Sequence, residues 1–273
     1  MRFKATLDDT GLRTFLATAQ CFSKVCDECA LHMSKESFQF RKVADAESDA
    51  MLFATLGMDA FTSYDIASKA DSTISVLIKV GNLLRAFKSA EQSDKVVFKL
   101  TKRQGVPCFS IIAETLSGLS VTQDAPISTF LTVEGLYAYR EPNLRKPDIS
   151  LYSPDPKHVR MVLERMKLLD KFVTLTLTCK GTMQLQVATE IAVMRTKFQG
   201  LDSPVEGSGV GKASARLNVT EFIRAMQFGV VSEYDKVIFC IVSKEAMIIY
   251  VTFEDDMGTL TYYLPCPWED DGV

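Results

Sequence analysis

The residues of this chain that could do chemistry are mostly cations, and they recur at helical spacing. Lys157, Arg160, Glu164, Lys167 and Lys171 fall three or four apart, the interval that brings side chains onto one face of an α-helix. A mostly positive row facing solvent attracts a polyanion by Coulomb forces and reads no particular shape. Three more stretches carry the same signal more thinly: Arg13 and Lys24 within residues 10–26, Arg85 and Lys88 within 79–92, and Arg224 within 220–232. The plain alternative is that lysine and arginine simply solvate exposed helix faces.

Other chemistries have less behind them. Cys26 and Cys29 have zinc-ligand spacing and His32 follows, but no second paired motif exists, and His32 alternates with apolar strand residues. Core thiols at a helix end account for them, so no metal is expected. Residues 207–212, GSGVGK, resemble a phosphate loop, yet Glu206 replaces the first glycine and Ala213 stands where Ser or Thr belongs. With only His32 and His158 in the chain, a hydrolase triad has few candidates for its base. His158, beside Lys157 and Arg160, belongs to a helix surface, and Asp255 and Asp256 next to Gly258 mark a hairpin turn. No catalytic residue and no cofactor are expected.

The elements that must position the cations are legible from apolar periodicity. Around residues 155–170, Asp155 is placed to cap and Pro156 to open a helix, and Val159, Val162, Leu163, Met166 and Leu169 mark its buried face. Leu12, Phe15, Leu16, Ala19 and Phe22 do the same for 10–26, with Arg13, Ala17, Gln20 and Lys24 opposite. Leu83, Leu84, Phe87 and Ala90 serve 80–92. Thr220 is read as the cap of a fourth helix to 232, burying Phe222, Ile223 and Met226. Strands are expected at 1–7, 30–33, 37–43, 51–58, 73–79, 96–102, 107–115, 119–122, 127–133, 149–152, 172–179, 182–189, 190–198, 215–219, 237–242, 246–253 and 259–264, with 61–70 ambiguous. The charged, proline-bearing stretch 134–147 reads as a surface linker and 202–214 as a mobile loop.

The two halves share one order of parts: strand, helix, strands, helix, strands. This predicts an α+β fold of two similar domains, 1–133 and 148–273, joined by the 134–147 connector, each with two helices on antiparallel sheet. The chain has 273 residues, 47% of them hydrophobic, ample for such cores. No run of about 20 apolar residues is free of charge, so no membrane span is expected, and the first residues lack the long apolar centre of a secretion signal. Seven cysteines, several in apolar segments (Cys21, Cys108, Cys179, Cys240), fit buried thiols in a reducing compartment. A soluble intracellular protein is the expectation. The net charge is −3, yet the four helical windows together carry +5. If the helices share one side of a continuous sheet, that side is a shallow basic footprint on an otherwise acidic protein.

The segments MRFKATL, DISLYSPDPKHVRMVLERMK and KFVTLTLTCKGTMQLQVATEIAVMRTKFQGL resemble the Hus subunit of the heterotrimeric nine-one-one checkpoint clamp, a family related to proliferating cell nuclear antigen. The order of elements matches along nearly the whole chain, though 45–71 and 202–214 match nothing quotable. The resemblance implies a DNA-clamp fold and a 1:1:1 ring with two Rad-family subunits, helices lining the hole. It implies that Arg13, Lys24, Arg85, Lys88, Lys157, Arg160, Lys167, Lys171 and Arg224 face duplex DNA and contact phosphates with little base readout. It implies partner edges near 107–115 and 191–198, and a partner-peptide pocket flanked by Leu136, Tyr137 and Tyr139. A clamp loader and repair or signalling proteins follow as partners. So does a nuclear location, with some protein cytoplasmic before assembly. Trp268 near the acidic end is a further candidate anchor. Two other readings stay open: a homotrimeric replication clamp, and an unrelated intracellular α+β scaffold or enzyme with incidental basic helix faces.

Overall fold

Apolar alternation makes nearly half of the chain strand, and four amphipathic segments form its main helices. The structure is a computed structural model that describes residues 1–45, 49–68, 72–114, 118, 120–204, 211–231 and 233–267. The first half contains β1 (Arg2–Leu7), α1 (Asp9–Val25), β2 (Glu28–Met33), β3 (Phe38–Lys42), β4 (Met51–Leu56), β5 (Ser63–Ala67), β6 (Ile74–Lys79), α2 (Val80–Lys88), β7 (Lys95–Arg103), β8 (Val106–Glu114) and β9 (Ser120–Phe130). A short α3 (Val133–Tyr137) follows. Then come β10 (Ile149–Tyr152), α4 (Pro156–Met166), β11 (Phe172–Thr178), β12 (Thr182–Ala188), β13 (Val193–Phe198), β14 (Lys212–Asn218), α5 (Val219–Ala225), α6 (Phe228–Val231), β15 (Tyr234–Val242), β16 (Ala246–Phe253) and β17 (Gly258–Pro265).

Four units of strand, helix and three strands run through this order, with β5 as an addition. Within each half, the first strand of one unit pairs with the second strand of the other: β1 with β7 and β6 with β2, then β10 with β15 and β14 with β11. All these pairings are antiparallel. The last strands of the first and fourth units, β4 and β17, pair with each other and join the halves, from Met51 opposite Tyr263 to Leu56 opposite Gly258.

Beneath the helices lies one continuous apolar core shared by both halves. Phe3, Phe15, Phe38 and Phe98 are fully buried and meet largely edge to face, with Phe3 and Phe98 centroids 5.3 Å apart, the geometry ring quadrupoles favour.

Several expectations are corrected. Helix α4 ends at Met166, so Leu169 lies in the turn beyond it, out of helical phase, and is 42% exposed. Ala17, expected to face solvent, is buried because α1 has helices on both flanks, α2 on one and α5 and α6 on the other. The strands expected at 119–122 and 127–133 are a single β9 running through Pro126. Pro126 sits where β9 leaves β8 and begins to pair with β6, a position that tolerates a missing N–H. The ambiguous 61–70 holds β5. Residues 133–137, expected as strand end and linker, form α3, because Thr132 accepts from Gly135 N at 3.1 Å and caps one turn. Asn218, not Thr220, caps α5, accepting from Thr220 N at 2.9 Å. Cys179 is exposed in a turn rather than buried. Cys29 is buried on the core face of β2 while His32 points to the outer face and meets Ser75 Oγ at 2.8 Å, so strand alternation keeps these two apart. Trp268 and most of the 207–212 glycine-rich stretch lie outside the described residues.

Candidate nucleic-acid interface

The four main helices touch in one row, α2 against α1, α1 against α5 and α5 against α4, with α6 wedged between α1 and α4. Local sequence sets each start. Asp8 accepts from Gly11 N at 2.9 Å, Asp155 from Lys157 N at 2.8 Å, and Asn218 opens α5, while α2 has no side-chain cap and springs directly from β6. Each helix turns its apolar stripe onto the core and leaves its polar stripe outward.

The nine cations expected on this surface fall into two groups. Lys24, Arg85, Lys88, Lys157, Lys167 and Lys171 are exposed, and among the described residues none has a carboxylate within ion-pair distance. Arg13, Arg160 and Arg224 are internally committed. Arg13 pairs with Asp9, Arg224 meets Glu221 Oε1 at 2.6 Å, and Arg160 spans Glu164 Oε1 at 2.9 Å and Gln227 Oε1 at 2.8 Å. Arg160 therefore ties α4 to the turn after α5 and is only half exposed. Lys171 lies past the end of α4, its Nζ 5.5 Å from the Phe172 ring centre.

The surface is not uniformly positive. A depression of about 560 Å³ between α1, α4, α6 and the β16–β17 turn brings Arg13 and Lys157 together with Glu91, Glu233, Glu254 and Asp255. A second, of about 550 Å³, gathers Lys24 and Arg224 with Lys42, Asp27, Glu28 and Asp45, and Tyr139 reaches into it. Lys42, paired with Asp45, and the acids of this depression carried no helical signal, and only the tertiary arrangement brings them here.

The three connector residues are divided. Leu136 and Tyr137 line a cavity of about 450 Å³ between α3 and the outer face of β3 and β4, together with Gln39, Arg41, Phe53 and Glu141. Tyr139 is in the other depression, where burial first, then Glu28 and Asp45, raises its hydroxyl pKa. Arg140, not singled out by sequence, stacks 3.3 Å over the Tyr137 ring, a cation–π contact. Burial lowers the Arg41 pKa, and burial together with Arg41 pushes His32 down to about 4.

The outer edges also differ from expectation. β8 is bonded on both sides, to β7 and β9, and presents no free edge. The open edge is the first half of β9, 120–126, which pairs only with β8. At the other end of the molecule β13 is the terminal strand of its sheet, in the region expected. Both edges expose apolar groups: Val121 at 38%, Val193 at 55%, and Leu168 at 85% at the end of α4.

Comparison with known proteins agrees with this geometry. The model of the family described as Hus1-like protein matches residues 1–267. The checkpoint protein hus1 homolog of Dictyostelium discoideum is 25% identical over 97% of this chain and 98% of its own. Checkpoint protein hus1 of Schizosaccharomyces pombe is 25% identical over the same shares, and checkpoint protein HUS1 of Homo sapiens 26% over 75% of each chain. Among solved structures, the proliferating cellular nuclear antigen of Entamoeba histolytica superposes with a TM-score of 0.78 at 11% identity, covering 97% of this chain and 99% of that one. PCNA from Thermococcus kodakaraensis gives 0.72 at 14% over the same shares. At such low identity these two structures establish the sliding-clamp fold alone.

Proposed function

The chain belongs to the Hus1-like protein family and is a checkpoint-clamp subunit of sliding-clamp fold, and from that premise we propose that it closes a 1:1:1 ring with two Rad-family subunits around duplex DNA. The observation that carries this reading is the single helix row on or beside which six exposed cations stand with no ion pair among the described residues. Contacts of that kind go to phosphates and carry no sequence information, so the ring can slide while enclosure provides the hold. The acids in the depression beside Arg13 and Lys157 weaken the field at the centre of the row and leave two stronger patches, one on α2 and one on α4.

The repeat supports ring closure. In this chain the last strands of units one and four pair with each other, while those of units two and three, β9 and β13, keep open edges. Applied between chains, the β4–β17 joint becomes a β13–β9 joint at each subunit boundary. Exposed Val121, Val193 and Leu168 then gain apolar cover. Residues 1–133 and 148–273 serve as the two clamp domains and 134–147 as the connector. The cavity under Leu136 and Tyr137 takes a partner peptide, with Arg41 and Glu141 at its polar rim. The protein acts without catalysis in the nucleus, where a clamp loader opens the ring and repair and signalling proteins dock on it.

Native mass measurement tests the assembly. The chain alone is expected as a monomer, and with its co-purified partners as one 1:1:1 species. Self-assembly into a trimer would place it with homotrimeric replication clamps instead.

A further inference from the structure

The outer face of the four-stranded sheet β14–β11–β12–β13 lies on the opposite side of its strands from the core and has no part in the reading above. None of its four strands contains an aspartate or glutamate, and their cations all point outward. The register arranges them in rows. Arg216, Thr174, Gln186 and Arg195 form one row, and Ser214, Thr176, Gln184 and Lys197 the next, with Lys212 beside Thr178 beyond. Cations thus stand on both outer strands, three inter-strand steps or about 14 Å apart, and hydroxyls and amides fill the space between.

The platform is pre-ordered. Thr176 Oγ1 and Ser214 Oγ lie 2.9 Å apart, Arg195 Nε donates to Gln186 Oε1 at 2.9 Å, and Gln184 Nε2 donates to the same oxygen at 3.1 Å. The Arg216 guanidinium sits 4.7 Å over the Phe172 ring. Cations on both outer strands, with Arg195 and Lys197 at the two-residue repeat of β13 and Arg195 held by neutral Gln186, suit an extended anionic chain.

We propose that this face binds an acidic, phosphoserine- or phosphothreonine-bearing segment of a partner protein, laid along the strands between the two cation rows. Charge complementarity identifies the occupant: phosphates accept from guanidinium and ammonium groups, and exposed Ser214 with the Gln184 amide bonds the segment's backbone. Nucleic acid is the competing polyanion. Single strands bind through stacked aromatic platforms, and Phe172 is half-buried and already covered by Arg216. A duplex threaded past the helix row would have to double back to reach the far side of the sheet, which its persistence length of about 150 base pairs forbids. That last exclusion rests on the ring reading; the rest does not.

The test uses the full chain and a fluorescent peptide as long as β11 with serine at alternate positions, in unmodified, fully phosphorylated and glutamate-substituted forms, followed by anisotropy. The phosphorylated peptide should bind saturably, the glutamate form more weakly and the unmodified form not at all. Arg195→Glu with Lys197→Glu should weaken the phosphopeptide at least about tenfold, and Lys212→Glu alone, on the other outer strand, should weaken it about threefold. Lys157→Glu with Lys167→Glu, on the helix row, should leave it unchanged. If the double variant on β13 does not fold, Lys212→Glu decides. Equal binding of all three peptides, or no effect of the cation reversals, overturns the proposal and leaves these cations as solvated edge residues. A duplex oligonucleotide that binds this face more tightly than the phosphopeptide reassigns it to nucleic acid. DNA association left unchanged by the helix-row reversal, with phosphopeptide binding intact, would sink the ring reading while sparing this one.

Discussion

Tyr263, in the last strand, donates a hydrogen bond from its hydroxyl to Glu141 Oε2 at 3.1 Å. One residue belongs to the seam that joins the halves and the other to the connector, so the segment that roofs the outer cavity is fastened at the seam. Tyr263 also lies edge-on to Phe53, with ring centres 5.8 Å apart. Tyr263→Phe keeps that packing and removes only the hydroxyl. We expect a cost of about 1 kcal/mol, seen as faster amide exchange in α3 and 138–144 with exchange in β16 unchanged.

The two groups of helix cations should separate by experiment. Lys157→Glu with Lys167→Glu should weaken DNA association of the assembled ring and flatten the dependence of log affinity on log salt, because fewer phosphate counterions are released. Arg160→Ala should act mainly on the fold, since Arg160 bridges Glu164 and Gln227. A loss of about 1 kcal/mol in urea unfolding is expected, with a smaller change in salt slope than the lysine pair gives.

The open edges predict which apolar residues govern assembly. Val121→Asp and Val193→Asp place a charge on strand edges that the monomer leaves exposed. Each should leave the melting temperature of the isolated chain nearly unchanged and abolish the 1:1:1 species in native mass spectra. Retention of full assembly in both would move the subunit joints elsewhere.

His32 supplies a pH dependence. Burial, with Arg41 nearby, lowers its pKa from the ordinary 6.5 to about 4. The folded state therefore resists a proton that the unfolded chain accepts, so stability is full above about pH 6.5 and falls as pH drops toward 4. His32→Gln removes the titration and can retain a hydrogen bond to Ser75. Its urea midpoint should vary less than that of the parent chain across this window.

Gly258 lies where β17 meets β4, and a Cβ on it would collide with the carbonyl oxygen of Thr55. Since backbone rather than a flexible side chain is in the way, Gly258→Ala should cost about 2 kcal/mol or more, measured by urea denaturation. The same substitution at Gly81 in α2, where a Cβ meets nothing within 4 Å, should be neutral or stabilising.

The sequence determined the element types nearly throughout, because a two-residue or 3.6-residue apolar period is a local property of the chain. The α4 start at Asp155 and Pro156, the hairpin at Lys180 and Gly181, and the buried stripe of α1 were all legible this way. The cationic spacing of Lys157 and Arg160 was legible for the same reason, but α4 ends at Met166, so Lys171 lies beyond it. The tertiary structure decided what period cannot carry. It set which flank of α1 is covered, which hid Ala17, and it joined two apparent strands through Pro126 into β9, moving the open edge from β8. It also tied Arg160 to Gln227, and it sent Tyr139 away from Leu136 and Tyr137. Each of these depends on residues far apart in the chain meeting in space: periodicity tells a side chain which face it is on, and only packing tells it what that face meets.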